Sequence, residues 1–326
     1  MNKEINKLLS IVVPVYNEEP SLKELHQEIS SVCQAMGRPY EIIYVDDGST
    51  DNSFERLREI QQQDSRVRVI RLRKNFGQTA ALSAGFDYAR GEIIISLDAD
   101  LQNDPRDFPR LLEKLEKGYD LVNGWRKKRR DPLLTRRIPS MVANWLISLI
   151  TGVKLHDYGC TLKAFHREVV DNIKLYGELH RFIPAIASHI GVNITEIPVN
   201  HRHRKYGRSK YSLWRFFKVI LDLLTVKFLL SYSTRPLQIF GTFGLVSGVI
   251  GGALGLYLTY LRLIVKQGIS NRPLLLLAIL LIVIGIQFIS IGLLAELLVR
   301  TYHESSEKKI YYVREIIDSS SSPSSE

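Results

Sequence analysis

The first half of the chain alternates short apolar runs with segments of helical period. Leu8–Val15 is an apolar run that closes in a turn, which predicts a buried strand. Ser21–Met36 carries apolar residues at helical spacing, with Ser21 placed as N-cap and Glu24 three residues on. Tyr40–Val45 predicts a second strand, Asp51–Gln63 a helix with a polar face, and Val67–Leu72 a third strand. Gln78–Ala89 predicts a helix and Ile93–Leu97 a fourth strand. Pro105–Lys117 opens with proline where a helix accepts it, and Leu121–Asn123 is a short strand. This rhythm predicts an α/β domain built on a doubly wound, mostly parallel sheet. Ligands of such sheets bind beyond the carboxyl ends of the strands.

From about Leu133 the pattern changes. Arg136–Ile150 predicts an amphipathic helix and Lys163–His166 a strand. Tyr211–Tyr232 interleaves Trp214, Phe216, Phe217, Leu221, Leu224 and Phe228 with Arg215, Lys218 and Lys227. That pattern suits a helix lying in a membrane interface, and it equally suits an amphipathic helix on a core. Pro236–Tyr260 and Pro273–Ala295 contain no charge, and each exceeds the roughly 20 residues that span a bilayer. Arg202, Arg204, Lys205, Arg208, Lys210, Arg215, Lys218, Lys227 and Arg235 precede the first span, while the loop between the spans holds only Arg262, Lys266 and Arg272. The positive-inside rule then places both termini in the cytoplasm of a two-span protein of the inner membrane. Gly244/Gly248, Gly248/Gly252 and Gly251/Gly255 recur at four-residue spacing, which favours close helix approach and a homo-oligomer, a tetramer among the arrangements. The expected division is a catalytic domain over 1–210, an amphipathic juxtamembrane segment over 211–235, two transmembrane helices over 236–300 and a cytoplasmic tail over 301–326. The Ser-rich Ser319–Glu326 is expected to be disordered.

Charge narrows the partners. The net charge of +10 favours nucleic acid, anionic lipid or phosphorylated substrates. The two spans tip this toward lipid and phosphate and away from nucleic acid. The two cysteines, Cys33 and Cys160, sit in no metal-binding spacing and imply no disulfide framework. Met1–Ser10 is polar and lacks the apolar stretch of a signal peptide.

The chemistry-bearing residues collect where strands end. Val13-Pro14-Val15-Tyr16-Asn17-Glu18 closes the first strand with an aromatic that can stack a base and an acid that can accept hydrogen bonds. Asp46-Asp47-Gly48 closes the second; adjacent carboxylates repel unless they bind something, and Gly48 permits an unusual backbone angle. Thr50 and Asp51 read as caps of the next helix. Asp98-Ala99-Asp100-Leu101-Gln102 closes the fourth strand, and alternate residues of an extended segment point the same way. Asp98, Asp100 and Gln102 thus offer hard oxygen ligands for Mg2+ or Mn2+ shared with a diphosphate. The spacing is not that of an EF-hand, and no GxGxxG follows the first strand. Arg71–Gln78 is either a helix start suited to a diphosphate or a solvated basic turn. Arg126–Arg130 with Arg136 and Arg137 forms a basic cluster suited to head groups or a lipid phosphate. His201–Lys210 offers Arg204, Ser209 and Lys210 for phosphate, though a positive flank of the membrane span explains the same charge.

The motifs PVYNE, DDGSTD, KNFGQTAALSAGFDYARGE, SLDADLQNDP and RxxGxSK together resemble family 2 glycosyltransferases. Within them the chain is similar to the branch containing dolichol-phosphate mannose synthase and bacterial polyprenyl-phosphate glucosyltransferases. The resemblance implies a GT-A fold, a nucleoside-diphosphate sugar donor, a divalent metal and inversion at the anomeric carbon. It implies that Pro14, Tyr16, Glu18, Asp46, Asp47, Gln78, Asp98 and Ala99 hold the nucleotide sugar, and that Asp98, Asp100 and Gln102 place the metal. It further implies that Arg126, Arg137, Arg204, Ser209 and Lys210 gather the lipid phosphate, with Asp157, Asp100 and Arg204 closest to the reaction. Glu178 and His180 are weaker candidates. The QxxRW motif of processive polysaccharide synthases is missing. The two-span layout leads to an expected transfer of glucose from UDP-glucose to undecaprenyl phosphate. GDP-mannose as donor is the alternative on the same scaffold, and a noncatalytic adaptor for anionic lipid is the alternative of another class.

Overall fold

A computed structural model describes residues 7–127, 138–173, 175, 177, 179–206, 236–266, 268, 273–305 and 309–318. The chain forms two compact units, residues 1–226 with 309–326, and residues 227–308. The expected juxtamembrane segment 211–235, the tail 319–326, and Glu178, Arg137, Ser209 and Lys210 lie outside the described residues.

The first unit is an α/β sandwich around an eight-stranded sheet of order β7-β5-β6-β4-β1-β2-β3-β8. The strands are β1 (Leu9–Val15), β2 (Tyr40–Asp46), β3 (Val67–Leu72), β4 (Ile93–Ser96), β5 (Leu121–Trp125), β6 (Lys163–His166), β7 (Ile194–Pro198) and β8 (Val313–Ile317). β1 pairs in parallel with β2 and β4, β2 with β3, and β5 with β7; β6 and β8 run antiparallel to their neighbours. The Val- and Ile-rich β1 and β2 are buried on both faces, as continuous apolar runs between helical layers should be. Helices α1 (Glu19–Met36), α2 (Ser53–Gln63), α3 (Gln78–Tyr88) and α4 (Phe108–Glu116) cover them. α1 buries Leu22, Leu25, Ile29 and Cys33, a stripe at helical spacing. α5 (Ile138–Thr151), α6 (Arg167–Asp171) and α7 (Ile183–His189) complete the unit.

The elements expected from the sequence are present with two kinds of difference. α1 begins at Glu19, not Ser21, because Pro20 fits the first helical turn; the Ser21 hydroxyl donates to the Glu18 carbonyl at 2.7 Å. The start of α1 is satisfied from elsewhere in the chain: Glu18 N donates to Ser53 Oγ at 3.0 Å and Glu19 N to Asp51 Oδ2 at 3.4 Å. Asp51 also accepts from Ser53 N at 3.0 Å, so it serves the start of α2 from one residue before the Asn52 N-cap. β7 and β8 are strands that the pattern does not predict, since each is five residues long and exists by pairing with a distant partner. β8 covers β3, which is otherwise an open edge.

The second unit is a hairpin of α8 (Pro236–Leu263) and α9 (Pro273–Ser305). Phe240–Leu263 and Pro273–Ala295 are each long and apolar enough to cross a membrane. Their outer faces leave Phe243, Leu256, Leu276 and Ile286 more than 60% exposed, a surface that water would penalise. Glycines set the approach of the two helices: a Cβ on Gly244 would stand 2.6 Å from the Gly285 carbonyl, and one on Gly251 would stand 2.9 Å from the Ala278 carbonyl. Part of the small-residue stripe expected to favour oligomers is therefore spent inside this hairpin, while Cβ atoms on Gly252 and Gly255 would meet nothing within 4 Å.

Candidate active site

The strand order places a topological switch at β1, which has β2 on one side and β4 on the other. The helices connected to these strands diverge there, so a crevice opens beyond their carboxyl ends. Tyr16, Asn17 and Glu18 follow β1, Asp46 and Asp47 close β2, and Asp98 and Asp100 follow β4. Two residues other than glycine take positive φ in this unit among those described, Asn17 at 56° and Leu101 at 62°, and they sit on opposite lips of the crevice. Asparagine tolerates that conformation, whereas a buried leucine adopts it only under packing, so backbone strain is concentrated at the Asp98–Gln102 turn.

One side of the crevice is built from β2 and the loop after β3. Asp46 is fully buried; its Oδ1 accepts from Ser49 N at 3.1 Å, and Arg71 Nε lies 3.7 Å from Oδ2. Among the described residues Oδ2 has no hydrogen-bond partner, and burial pushes the carboxyl pKa up. A buried acceptor in this state is a place for a donor to dock. Arg71, left open as a solvated turn residue, instead stacks over the Phe54 ring at 4.0 Å and faces Asp46. Asp47 accepts from Phe76 N at 2.7 Å and Gly77 N at 2.9 Å, so it tethers the loop 73–77; burial raises its pKa and these two amides oppose the rise. Gly48 takes φ +66° with Lys74 packed against it: a Cβ there would stand 2.5 Å from Lys74 C. Asn17 and the next turn exchange bonds, Asn17 N to Ser49 Oγ at 3.0 Å and Thr50 N to Asn17 Oδ1 at 2.8 Å. Pro14 is half-buried within β1, and Tyr16 presents an exposed ring.

The acid pair is held from several directions. Gln78 Nε2 donates to Asp98 Oδ1 at 2.6 Å, which brings Gln78 and Asp98 together as expected. Asp100 Oδ1 accepts from Gln102 N at 3.2 Å. The Gln102 side chain donates to the Arg202 carbonyl at 3.4 Å, and the buried Ala99 lies between the two acids. Burial and then the charge of Asp100 push the Asp98 carboxyl up to about 6, and burial likewise raises Asp100. The two carboxyls are thus close enough for each to disfavour ionisation of the other. Among the described residues no group of three or more His, Cys, Asp or Glu is placed to hold a metal. The protein thus offers two carboxylates and an amide, a donor set that suits Mg2+ or Mn2+ completed by phosphate oxygens and water.

Two arginines frame this pair. The segment after β7 folds back on the acid turn, with Arg202 N donating to the Gln102 carbonyl at 2.9 Å and Asn103 bridging to His201. Arg204 consequently spans the crevice, hydrogen-bonded to Glu18 and with Nε 4.0 Å from Asp100 Oδ2. Burial raises the Glu18 pKa and Arg204 opposes the rise. Arg126 forms a fork with buried Asp157, Nε to Oδ2 at 2.7 Å and a terminal nitrogen to Oδ1 at 2.9 Å. Asp157 is thus a fixed partner of Arg126, and the pair contributes to the field at Asp98 and Asp100 through Arg126.

Sequence reasoning missed three contributors. Thr161 accepts from Asn103 Nδ2 at 3.0 Å, and its hydroxyl opposes the rise of the Asp98 pKa. Lys163 is buried on β6, bonded to the Cys160 carbonyl, with burial pushing its ammonium down to about 8. A lysine opening the short strand Lys163–His166 was the available signal. Thr79 Oγ1 lies 2.7 Å from Nδ1 of buried His180, which fixes the first turn of α3 beside Gln78 and gives the weaker candidate His180 a supporting place.

The comparisons agree with this architecture. The family described as Glycosyl transferase family 2 matches residues 10–174. The dodecaprenyl-phosphate galacturonate synthase of Rhizobium johnstonii is 44% identical over 317 residues, covering 96% of this chain and 94% of that protein. The undecaprenyl-phosphate 4-deoxy-4-formamido-L-arabinose transferase of Salmonella heidelberg is 39% identical over 322 residues, covering 98% and 97%. Among solved structures, glucosyl-3-phosphoglycerate synthase from Mycobacterium tuberculosis, in complex with Mn2+ and UDP-glucose, superposes with TM-score 0.53 at 19% identity, covering 68% of this chain and 79% of that one. That likeness is one of fold.

Proposed function

The chain belongs to glycosyl transferase family 2, and from that premise we propose that it moves one sugar from a UDP-sugar to the phosphate of a polyprenyl lipid, inverting the anomeric carbon. The observation that carries this reading is the switch at β1, where buried Asp46 at the end of β2, the Asp98–Asp100 pair after β4 and the Glu18–Arg204 pair all stand at the carboxyl ends of the strands. A lipid-phosphate oxygen attacks the anomeric carbon from the side opposite the diphosphate. The new C–O bond forms as the bond to the diphosphate breaks, and nucleoside diphosphate departs with the electron pair. A phosphate monoester with a second pKa of about 6 is already largely ionised, so a strong general base is not required. The chain's own residues supply position and field. Asp46, Asp47 with its loop, Pro14 and Tyr16 hold the nucleoside, and Gln78 orients Asp98 in the donor site. Asp98, Asp100 and Gln102 would hold Mg2+ or Mn2+, which when bound offsets charge on the leaving diphosphate. Arg126, Arg137, Arg204, Ser209 and Lys210 are assigned to the acceptor phosphate; Asp157 acts by fixing the Arg126 fork.

Support for the membrane setting comes from the two apolar helices and from connectivity. The chain leaves the first unit before α8 and is back in it by Lys309, so two crossings return it to the side of the catalytic domain. The positive flanks make that side cytoplasmic. A homo-oligomer has the outward Gly252 and Gly255 in its favour. Glucose loses its special standing: relatives aligned over 96% and 98% of this chain are named for galacturonate and for 4-deoxy-4-formamido-L-arabinose. The adaptor alternative gives no reason for carboxylates to be buried side by side at strand ends.

The test is transfer of radiolabelled sugar to polyprenyl phosphate by purified protein, with and without Mg2+ or Mn2+. The donors are UDP-glucose, UDP-galacturonate, UDP-4-deoxy-4-formamido-L-arabinose and GDP-mannose. Metal-dependent product from one donor, lost in Asp100→Ala, is expected. Folded, membrane-inserted protein that neither binds a nucleotide nor transfers any sugar would sink the reading.

A further inference from the structure

The segment that follows the second apolar helix is built into the donor side of the site. Beyond Ser305 the chain returns as Lys309–Asp318 and adds β8 to the edge of β3. This pairing slips register between Arg71 and Leu72. Such bulges re-aim a side chain, and Arg71 is the residue turned onto Phe54 and toward Asp46. The next contact is with the donor loop itself: Arg73 N donates to the Tyr312 carbonyl at 2.9 Å, and the Tyr312 ring lies 6.0 Å from that of Phe76. The preceding residue anchors the helix on the far side of the loop. Tyr311 is buried, and its hydroxyl donates to Asp87 Oδ2 on α3 at 2.6 Å; Lys309 Nζ lies 3.3 Å from the same carboxylate.

The loop 73–77 is therefore gripped twice. From within the sheet, Asp47 takes the Phe76 and Gly77 amides and Gly48 packs on Lys74. From the edge, Tyr312 takes the Arg73 amide while Tyr311 holds α3. Arg73, Lys74 and Asn75 are otherwise exposed, so a loop of this length with few buried contacts has little intrinsic order of its own. We propose that Lys309–Asp318 is a positioning element of the nucleotide-sugar site, whose docking on β3 and α3 holds the loop 73–77 in the shape that binds the donor diphosphate. The proposal rests on the donor-site reading above. It also means that the polypeptide emerging from the second apolar helix is a structural part of the catalytic domain's nucleotide side.

Reciprocity supplies the test, because an element that favours nucleotide binding must itself be stabilised by nucleotide. In the full-length protein, saturating UDP with Mg2+ should slow amide exchange in Tyr311–Ile317 as well as in 73–77. Tyr311→Ala should weaken UDP binding about tenfold, within the usual range of such couplings, and leave the KM for polyprenyl phosphate unchanged. Arg90→Ala removes an ion pair to Asp318 at the other end of the strand, 3.3 Å long, and should leave UDP affinity as it is. The proposal is overturned if UDP binds and protects 73–77 while exchange in 311–317 does not change, or if folded Tyr311→Ala binds UDP like the wild type. Should Tyr311→Ala fail to fold, the exchange comparison on wild-type protein decides. Failure to bind UDP or GDP at all would instead strike the donor-site reading and carry this proposal with it.

Discussion

Asp98→Asn should make the metal-free protein more stable while it abolishes transfer. The Asp98 carboxyl is pushed up to about 6 from an ordinary 3.8, first by burial and then by Asp100. Between those values the native state holds a proton that the unfolded chain has released, so stability falls as pH rises through the window, and the deficit is complete above it. Each tenfold in proton affinity is worth about 1.4 kcal/mol, which makes the deficit about 3 kcal/mol at pH 7.5 and about 1 kcal/mol at pH 4.5. These are upper figures, since Asp98 is half-buried and keeps some water. Asparagine has nearly the same shape, can still accept from Gln78 through its oxygen, and cannot ionise. Thermal unfolding in EDTA should therefore rise by up to about 6–12 °C at pH 7.5 in the variant and by much less at pH 4.5. Mn2+ should stabilise the wild type at pH 7.5 and the variant little, and transfer should fall about 100-fold or more. A variant that is less stable than wild type at pH 7.5 in EDTA, or that gains equally at both pH values, would refute the idea that the acid pair is held against its own repulsion for a cation.

Three further outcomes follow from the geometry. Arg126→Ala and Asp157→Ala should each cost about 3 kcal/mol by taking the fork from a buried charge, and the double variant should cost clearly less than their sum; additive losses in a thermal double-mutant cycle would show that the fork is not a coupled unit. Gly48→Ala should cost about 1–3 kcal/mol and weaken UDP binding in calorimetry, because its Cβ would stand 2.5 Å from Lys74 C at a φ of +66°; unchanged binding would mean that the loop 73–77 moves freely. Single cysteines at exposed Val265 and Arg314 should react with an impermeant maleimide from opposite sides of the membrane, since Cys33 and Cys160 are both buried; labelling from one side only would contradict two crossings.

Much of the architecture was written into the order of residues. Runs such as Leu9–Val15 and Tyr40–Asp46 have one stable use between helical layers, and turn residues mark their ends, so β1 to β6 and the acid clusters beyond them were legible. The two apolar helices were legible for a similar local reason, since more than 20 uncharged residues in a row have few other destinations. Asp98 and Asp100 were legible as acids at a strand end, whereas Gln78 entered through the family motif and the fold joins it to Asp98. What pairs with what was not local. β8 reads as part of a charged tail until β3, more than 240 residues earlier, offers it an edge. Arg126 read as one of a basic cluster until Asp157 met it from the other side of β6. Arg204 read as a phosphate ligand or a flank of the membrane span, and only the fold-back over Gln102 set it between Glu18 and Asp100. The sequence by itself determined the strand and helix periods, the two apolar segments and which acids stand at strand ends, because those depend on neighbours in the chain. The tertiary structure alone decided which charges are paired, which buried oxygen is left open and which distant segment braces the donor loop, because burial and partnership belong to the space that the folded chain encloses.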